Sequence, residues 1–150
     1  MTTNKLSRLL FPCLLIAAIS LSSFGQNMKN EPWTEKQLMP PAELAAIIKD
    51  KNAQQPIVFS IGPGAIIKGS IDIGPAKEKE NLRKLEEKLS KLAKDTNIVI
   101  YCGCCPFEHC PNIRPAFELL NKMKFTNHKL LSLQKNIKVD WINKGYPVSE

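Results

Sequence analysis

The side chains best suited to chemistry in this sequence are cysteines crowded into one short stretch. Residues 101–112 read YCGCCPFEHCPN and hold four of the five cysteines and one of the two histidines. These side chains are Cys102, Cys104, Cys105, His109 and Cys110. Thiolates act as nucleophiles, as partners in disulfide exchange and as ligands for soft metal ions. The stretch therefore predicts a reactive thiol, a redox pair or a metal site.

The elements on either side of this stretch favour Cys102 as the reactive thiol. Residues 97–101 (NIVIY) are typical of a buried parallel strand, and apolar residues repeat at helical spacing from Ile113, with Asn112 as the predicted N-cap. Functional groups collect at the carboxyl ends of parallel strands, and the N–H groups of a helix N-terminus stabilise an anion placed before it. We therefore expect Cys102, directly after the strand, to be held as a thiolate.

The rest of the chain alternates between helical and strand patterns. Further predicted helices are residues 40–50, residues 78–94 and a short segment that ends at Gly145, and further predicted strands are residues 56–62, 71–73 and 128–133. Residues 26–40 show no sustained periodicity, so no helix or strand is predicted there. The alternation predicts a single α/β domain with a mainly parallel sheet.

The first 25 residues are typical of a secretory signal peptide. Basic residues precede the apolar run LLFPCLLIAAISLSSFG, and the small residues Ser23 and Gly25 suit a cleavage site before Gln26. The run contains a proline and is short for a membrane span. We expect cleavage after residue 25, a leader over residues 26–34, a periplasmic or secreted location and no membrane anchor after cleavage.

The charge of the chain argues against a nucleic-acid partner. The net charge is +7, and the basic residues are spread over lysine-rich stretches such as KEKENLRKLEEKLSKLAK. Aromatic residues do not interleave with these lysines, which favours a solvated helix face over a nucleic-acid surface. The residues that follow the signal peptide suffice for one compact domain, which we expect to be a monomer.

Five segments, taken in order, resemble the rhodanese family of sulfurtransferases. They are AELAAIIKD, PIVFSIG, IKGSIDIGPA, IVIYC and DWINKGYPV, and the similarity spans residues 35–148. It implies a rhodanese-like three-layer α/β fold in which helices flank a central, mainly parallel sheet of about five strands. It also implies that Cys102 is catalytic: the thiolate takes sulfur from a small sulfur donor, holds it as a persulfide and passes it to a thiol acceptor, without a cofactor.

The resemblance further implies that the loop after Cys102 binds the anionic sulfur, with the backbone N–H groups of residues 103–110 as the cradle. Its candidate substrate-binding and anion-binding residues are Gly103, Cys104, Cys105, Phe107, His109 and Arg114. For Arg114, at the start of the following helix, two roles stay open: it reaches back to an anionic donor, or it is a surface charge. The loop from Cys102 to Asn112 is longer than the family's usual loop, and Ser70 stands where the family carries a histidine.

A redox function is the first alternative to sulfur transfer. Cys102 and Cys105 form a Cys-x-x-Cys pair, and Cys104, Cys105 and Cys110 are candidate redox or resolving thiols. A structural disulfide such as Cys105–Cys110 is equally compatible with the spacing, because four cysteines allow three full pairings.

A metal-binding module is the second alternative. Its candidate ligands are Cys102, Cys104, Cys105, His109 and Cys110. Four thiolates and an imidazole suit zinc or copper(I). All of them come from one compact loop, which favours copper(I), an ion that accepts two or three soft ligands, over a four-ligand zinc cage.

Overall fold

A five-stranded parallel sheet organises the protein. The computed structural model describes residues 31–150; the predicted signal peptide and the first part of the predicted leader lie outside the described residues. The strands are β1 Leu38–Met39, β2 Ile57–Ser60, β3 Ile71–Asp72, β4 Ile98–Tyr101 and β5 His128–Leu131. Their order across the sheet is β1-β5-β4-β2-β3, and every neighbouring pair is parallel. The predicted α/β class with a parallel sheet is confirmed.

In the part of the chain that the structure describes, four α-helices flank the sheet. They are α1 Pro41–Lys49, α2 Lys79–Leu89, α3 Ile113–Lys122 and α4 Ile137–Asp140. The predicted helix over residues 78–94 is too long, because the chain leaves α2 after Leu89 while Leu92 still packs against the core. Gly145 ends the last short helical turn in the left-handed conformation with φ 65°, as predicted for a C-terminal glycine. Within residues 31–150, no helix is long and apolar enough to cross a bilayer.

The side chains of β4 alternate between two core clusters, one on each face of the sheet. Ile98, Ile100 and Cys102 lie in the cluster formed with α2 and α3. Val99 and Tyr101 lie in the cluster formed with α1 and the segment around α4. All four residues of β4 are buried, as expected for a central strand covered on both faces. The alternation continues one residue past the strand, so it turns the Cys102 side chain towards the α3 side.

The prediction that residues 26–40 form no element is wrong for its last part. A 3₁₀ turn at Glu35–Gln37 leads into β1, which pairs with β5 in the register Leu38↔Leu130 at the edge of the sheet. A two-residue strand carries too little periodicity to be recognised in a sequence, and its pairing partner lies far along the chain. Upstream of it, Trp33 packs against the core beside Phe117.

Candidate functional site

Cys102 directly follows β4, the central strand, at the carboxyl edge of the sheet. Its side chain is only 1% exposed. The preceding Tyr101 sends its ring to the opposite face, where its hydroxyl accepts hydrogen bonds from the backbone N–H groups of Ile66 (3.0 Å) and Ile67 (3.2 Å). The Tyr101 hydroxyl also bonds to the hydroxyl of Ser70 at 3.1 Å. These bonds tie the strand that carries Cys102 to the connection between β2 and β3.

The cysteine-rich loop is attached to the connection between β5 and α4. The Ile137 N–H donates to the Gly103 carbonyl at 2.9 Å, and the Phe107 N–H donates to the Leu133 carbonyl at 3.0 Å. A Cβ atom on residue 103 would lie 2.9 Å from Cβ of Ile137, so this position requires glycine. Phe107, a candidate substrate-binding residue, is buried and packs the loop onto the core. The loop is therefore held at both its start and its middle.

The loop brings the cysteine sulfurs together. The Sγ atoms of Cys102 and Cys104 lie 3.3 Å apart, and those of Cys104 and Cys105 lie 3.2 Å apart. The Sγ atoms of Cys102, Cys104 and Cys110 all lie within 4.8 Å of one another. Among residues 31–150 the four cysteines are free thiols: Cys102 and Cys110 are buried, Cys105 is half-buried and Cys104 is exposed. The sulfurs thus run from the core to the surface.

The surroundings of Cys102 favour its thiolate. The pKa of Cys102 falls from its ordinary value of 9.0 to about 5. The largest cause is the S–H group of Cys110, which donates to the Cys102 sulfur; burial opposes the fall, and the Cys104 N–H, the Asn112 amide and the Cys104 S–H reinforce it. Cys102 is therefore a thiolate at neutral pH.

The pKa values of two neighbouring cysteines are raised instead. Cys104 is exposed, but partial desolvation by the surrounding loop, followed by hydrogen bonds to Cys105 and Cys102, raises its pKa to about 12. The pKa of Cys110 is raised strongly, first because its proton is shared with the Cys102 sulfur and second because it is buried. The cluster therefore contains a buried thiolate that two protonated thiols contact.

Asn112 is a site residue that the sequence interpretation assigned to another role. Asn112 stands at the N-cap position of α3, as predicted, but its backbone angles are helical (φ −84°, ψ −26°) and its side chain makes no capping hydrogen bond. The buried amide instead donates from Nδ2 to the Cys102 sulfur at 3.4 Å and accepts from the Lys77 N–H through Oδ1 at 3.1 Å. Asn112 thus connects the thiolate to the segment just before α2.

Gly62 is a second residue of the site, and its contact with the thiol was not foreseen. A Cβ atom on residue 62 would lie 2.5 Å from the sulfur of Cys102, closer than any real contact allows. The backbone just after β2 therefore forms one wall of the thiol's surroundings. Gly62 ends the predicted strand over residues 56–62, but its neighbour across the sheet depends on the pairing of β2 with β4.

Other predicted site residues point elsewhere. The guanidinium of Arg114 pairs with the Glu31 carboxylate at 2.6 Å and donates to the Glu108 carbonyl at 2.9 Å. His109 is exposed and, like Cys105, lies outside the group of three close sulfurs. The compact sulfur group therefore contains three of the five candidate metal ligands, Cys102, Cys104 and Cys110.

The backbone cradle predicted over residues 103–110 is only partly available to the sulfur of Cys102. The N–H of Cys104 is directed to this sulfur and helps to lower its pKa. The N–H groups of Phe107, His109 and Cys110 instead donate to the carbonyls of Leu133, Pro106 and Phe107. The side chains of Asn112 and Cys110 therefore donate hydrogen bonds to the Cys102 sulfur that were expected from the backbone of the loop.

No protein-family model matches the sequence, and no curated protein matches it.

Proposed function

We propose that this protein is a rhodanese-type sulfurtransferase that carries sulfane sulfur as a persulfide on Cys102. The observation that carries the proposal is the state of this one thiol. Cys102 lies at the carboxyl end of the central strand, and hydrogen-bond donors from the surrounding loop lower its pKa to about 5. A thiolate in this position is the nucleophile that sulfane-sulfur chemistry requires.

The first half-reaction loads the enzyme. The Cys102 thiolate attacks the outer sulfur of a small donor such as thiosulfate, a new bond forms to Sγ, and the donor's own sulfur–sulfur bond breaks. Sulfite leaves with the electron pair, and Cys102 carries a persulfide. The Asn112 amide and the Cys110 S–H, which already donate to the thiolate, are placed to stabilise negative charge on the loaded sulfur.

The second half-reaction unloads the enzyme. An acceptor thiolate attacks the terminal sulfur of the persulfide, the bond between that sulfur and Sγ breaks, and the electron pair returns to Cys102. The low pKa of Cys102 makes it a good leaving group in this step. No external oxidant or reductant is needed, because sulfur moves between thiols at a constant oxidation level.

The test is the intact mass of the protein before and after exposure to thiosulfate or to glutathione persulfide. We expect a gain of about 32 Da for each sulfur bound, and no gain in Cys102→Ser. The same spectra show whether the mature chain begins at Gln26, as the proposed export through a signal peptide requires. A wild-type protein that gains no sulfur from either donor contradicts the proposed function.

Binding of a soft metal ion is a second candidate function, favoured by a separate observation. The sulfurs of Cys102, Cys104 and Cys110 lie within 4.8 Å of one another, a spacing from which three thiolates can ligate one copper(I) ion. Titration with copper(I) against a chromophoric chelator tests this candidate. We expect one ion bound per chain, weaker binding in Cys104→Ser than in Cys105→Ser, and loss of sulfur loading in the copper-bound protein, because the ion would occupy Cys102.

A further inference from the structure

The reactive sulfur and the nearest exposed sulfur lie in different environments. Cys102 is 1% exposed, and the Gly62 backbone, the Asn112 amide and Cys110 surround its sulfur. A donor of a few atoms can approach such a thiol, whereas a thiol on the surface of a folded protein cannot. Cys104 is exposed, and its sulfur lies 3.3 Å from that of Cys102. The terminal sulfur of a persulfide on Cys102 extends one sulfur–sulfur bond, about 2 Å, from the Cys102 sulfur, which puts it within reach of the Cys104 sulfur.

We propose that Cys104 is the exit thiol of the enzyme: it takes the sulfane sulfur from the Cys102 persulfide and presents it to the thiol of a macromolecular acceptor. This inference rests on the proposed sulfur transfer and adds the route and the class of acceptor. The half-buried Cys105, whose sulfur lies 3.2 Å from that of Cys104, is not in the close group with Cys102 and does not serve as the first receiver.

The transfer is balanced in atoms, charge and electrons. The proton of the Cys104 thiol passes to the terminal sulfur of the persulfide anion, and the resulting Cys104 thiolate attacks that sulfur. A bond forms between the terminal sulfur and Cys104, the bond to Cys102 breaks, and the electron pair stays on Cys102 as the thiolate. One sulfur atom has moved from Cys102 to Cys104, the proton that left the Cys104 thiol now lies on that sulfur, and the negative charge remains on Cys102. Nothing is oxidised or reduced overall.

The acidities of the two thiols favour this direction. Cys102 has a pKa of about 5 and Cys104 a pKa of about 12. In thiol exchange the sulfur with the lower pKa leaves faster, and the more basic sulfur is the stronger nucleophile once deprotonated. The persulfide therefore forms on the acidic, buried thiol and moves to the basic, exposed one.

The experiment loads the wild-type protein with one equivalent of glutathione persulfide and measures how fast sulfur passes to two acceptors. One acceptor is cyanide, which is small enough to reach a buried persulfide; the other is a reduced protein with surface thiols, such as thioredoxin. In Cys104→Ser, we expect the rate ratio of protein acceptor to cyanide to fall about tenfold or more. Serine keeps the backbone N–H and offers a hydroxyl donor in place of the S–H.

Cys105→Ser is the matched comparison, because it removes the adjacent thiol and keeps the contact between Cys102 and Cys104. We expect its ratio of protein acceptor to cyanide to exceed that of Cys104→Ser by about tenfold. Trapping the loaded wild type with an alkylating agent should also place part of the sulfur on Cys104 in peptide maps.

The outcomes separate this inference from the function on which it rests. A wild type that takes up no sulfur overturns both. A wild type that loads on Cys102, with the same acceptor ratio in Cys104→Ser, overturns the exit role and leaves sulfur transfer standing. Release of sulfide with a mass deficit of about 2 Da and a Cys102–Cys104 disulfide also overturns it, in favour of a redox dithiol.

Discussion

The backbone of Gly62 packs directly against the sulfur of Cys102. The two residues follow neighbouring parallel strands, β2 and β4, whose pairing places Ser60 opposite Tyr101. A Cβ atom on residue 62 would lie 2.5 Å from the sulfur, so the absence of a side chain there makes room for the thiol. The reactive group is therefore shaped as much by the loop after β2 as by its own cysteine-rich loop.

Replacing Gly62 with alanine should block the thiol. The added methyl group meets the sulfur, so we expect sulfur loading of Cys102 to slow about tenfold and the free energy of unfolding to fall by about 1–3 kcal/mol. Gly69→Ala is the control. It forces a side chain onto a backbone with φ 76° but meets no atom within 4 Å, so it should cost stability without slowing loading. A loading rate in Gly62→Ala equal to that of the wild type would contradict the close packing of Gly62 against the Cys102 sulfur.

The reactivity of Cys102 should persist into acid. A cysteine whose pKa is lowered is deprotonated above the lowered value, and here that value is about 5. The rate at which iodoacetamide alkylates Cys102, measured by peptide mapping, should therefore not change with pH around neutrality. It should fall about tenfold for each pH unit below the pKa. Cys104, with a pKa of about 12, provides an internal control whose alkylation is still rising in alkaline solution. Parallel pH profiles for both peptides would refute the assignment of the thiolate to Cys102.

Asn112→Asp should weaken the thiolate. The substitution keeps an oxygen that can accept from the Lys77 N–H but removes the Nδ2 donor to Cys102 and adds a negative charge beside it. We expect the pKa of Cys102 to rise by about one pH unit or more, read from the midpoint of the alkylation profile. Asn121→Asp adds the same charge near the far end of α3 and should leave the midpoint unchanged. Equal midpoints in the two variants would exclude the amide as a stabilising donor.

Tyr101→Phe should destabilise the fold from the other face of β4. The tyrosine hydroxyl accepts from the N–H groups of Ile66 and Ile67, and its loss leaves these donors without that acceptor. We expect the free energy of unfolding, measured with urea, to fall by about 2 kcal/mol. Tyr146→Phe is the control, because the Tyr146 hydroxyl makes no hydrogen bond within the described residues. Equal losses in both variants would show that the hydrogen bonds of Tyr101 carry no special weight.

Much of the fold was predictable from local patterns. The apolar run that became β4 and the leucine spacing that became α2 are signals contained in a few consecutive residues. The short strand β1 was not predictable, because only its pairing with β5 defines it. The extent of α2 was overestimated, because Leu92 is apolar at helical spacing yet packs from a turn. Periodicity reports burial, and it does not say whether the backbone is still helical.

The site was predictable in its central residue but not in its partners. Cys102 follows from the order of strand, cysteine and helix. The sulfurs that lie close to it are those of Cys104 and Cys110, whereas the Cys-x-x-Cys spacing had suggested Cys105. Which thiol of the loop lies near Cys102 depends on how the loop is attached to the core, through hydrogen bonds such as the one from the Phe107 N–H to the Leu133 carbonyl. Such contacts join residues distant in sequence, so spacing within the loop could not reveal them.

Trp33 gives the protein an optical reporter of this loop. Its ring lies 6.2 Å from the ring of Phe107, which packs the cysteine-rich loop onto the core, and 5.5 Å from the Arg114 guanidinium. The other tryptophan of the chain, Trp141, is buried in the cluster on the opposite face of the sheet. Under the proposed sulfur transfer, we expect the emission of Trp33 to differ between the free and the sulfur-loaded protein, while Trp141 supplies a steady background. The chemistry of a colourless thiol could then be followed in real time without any added label.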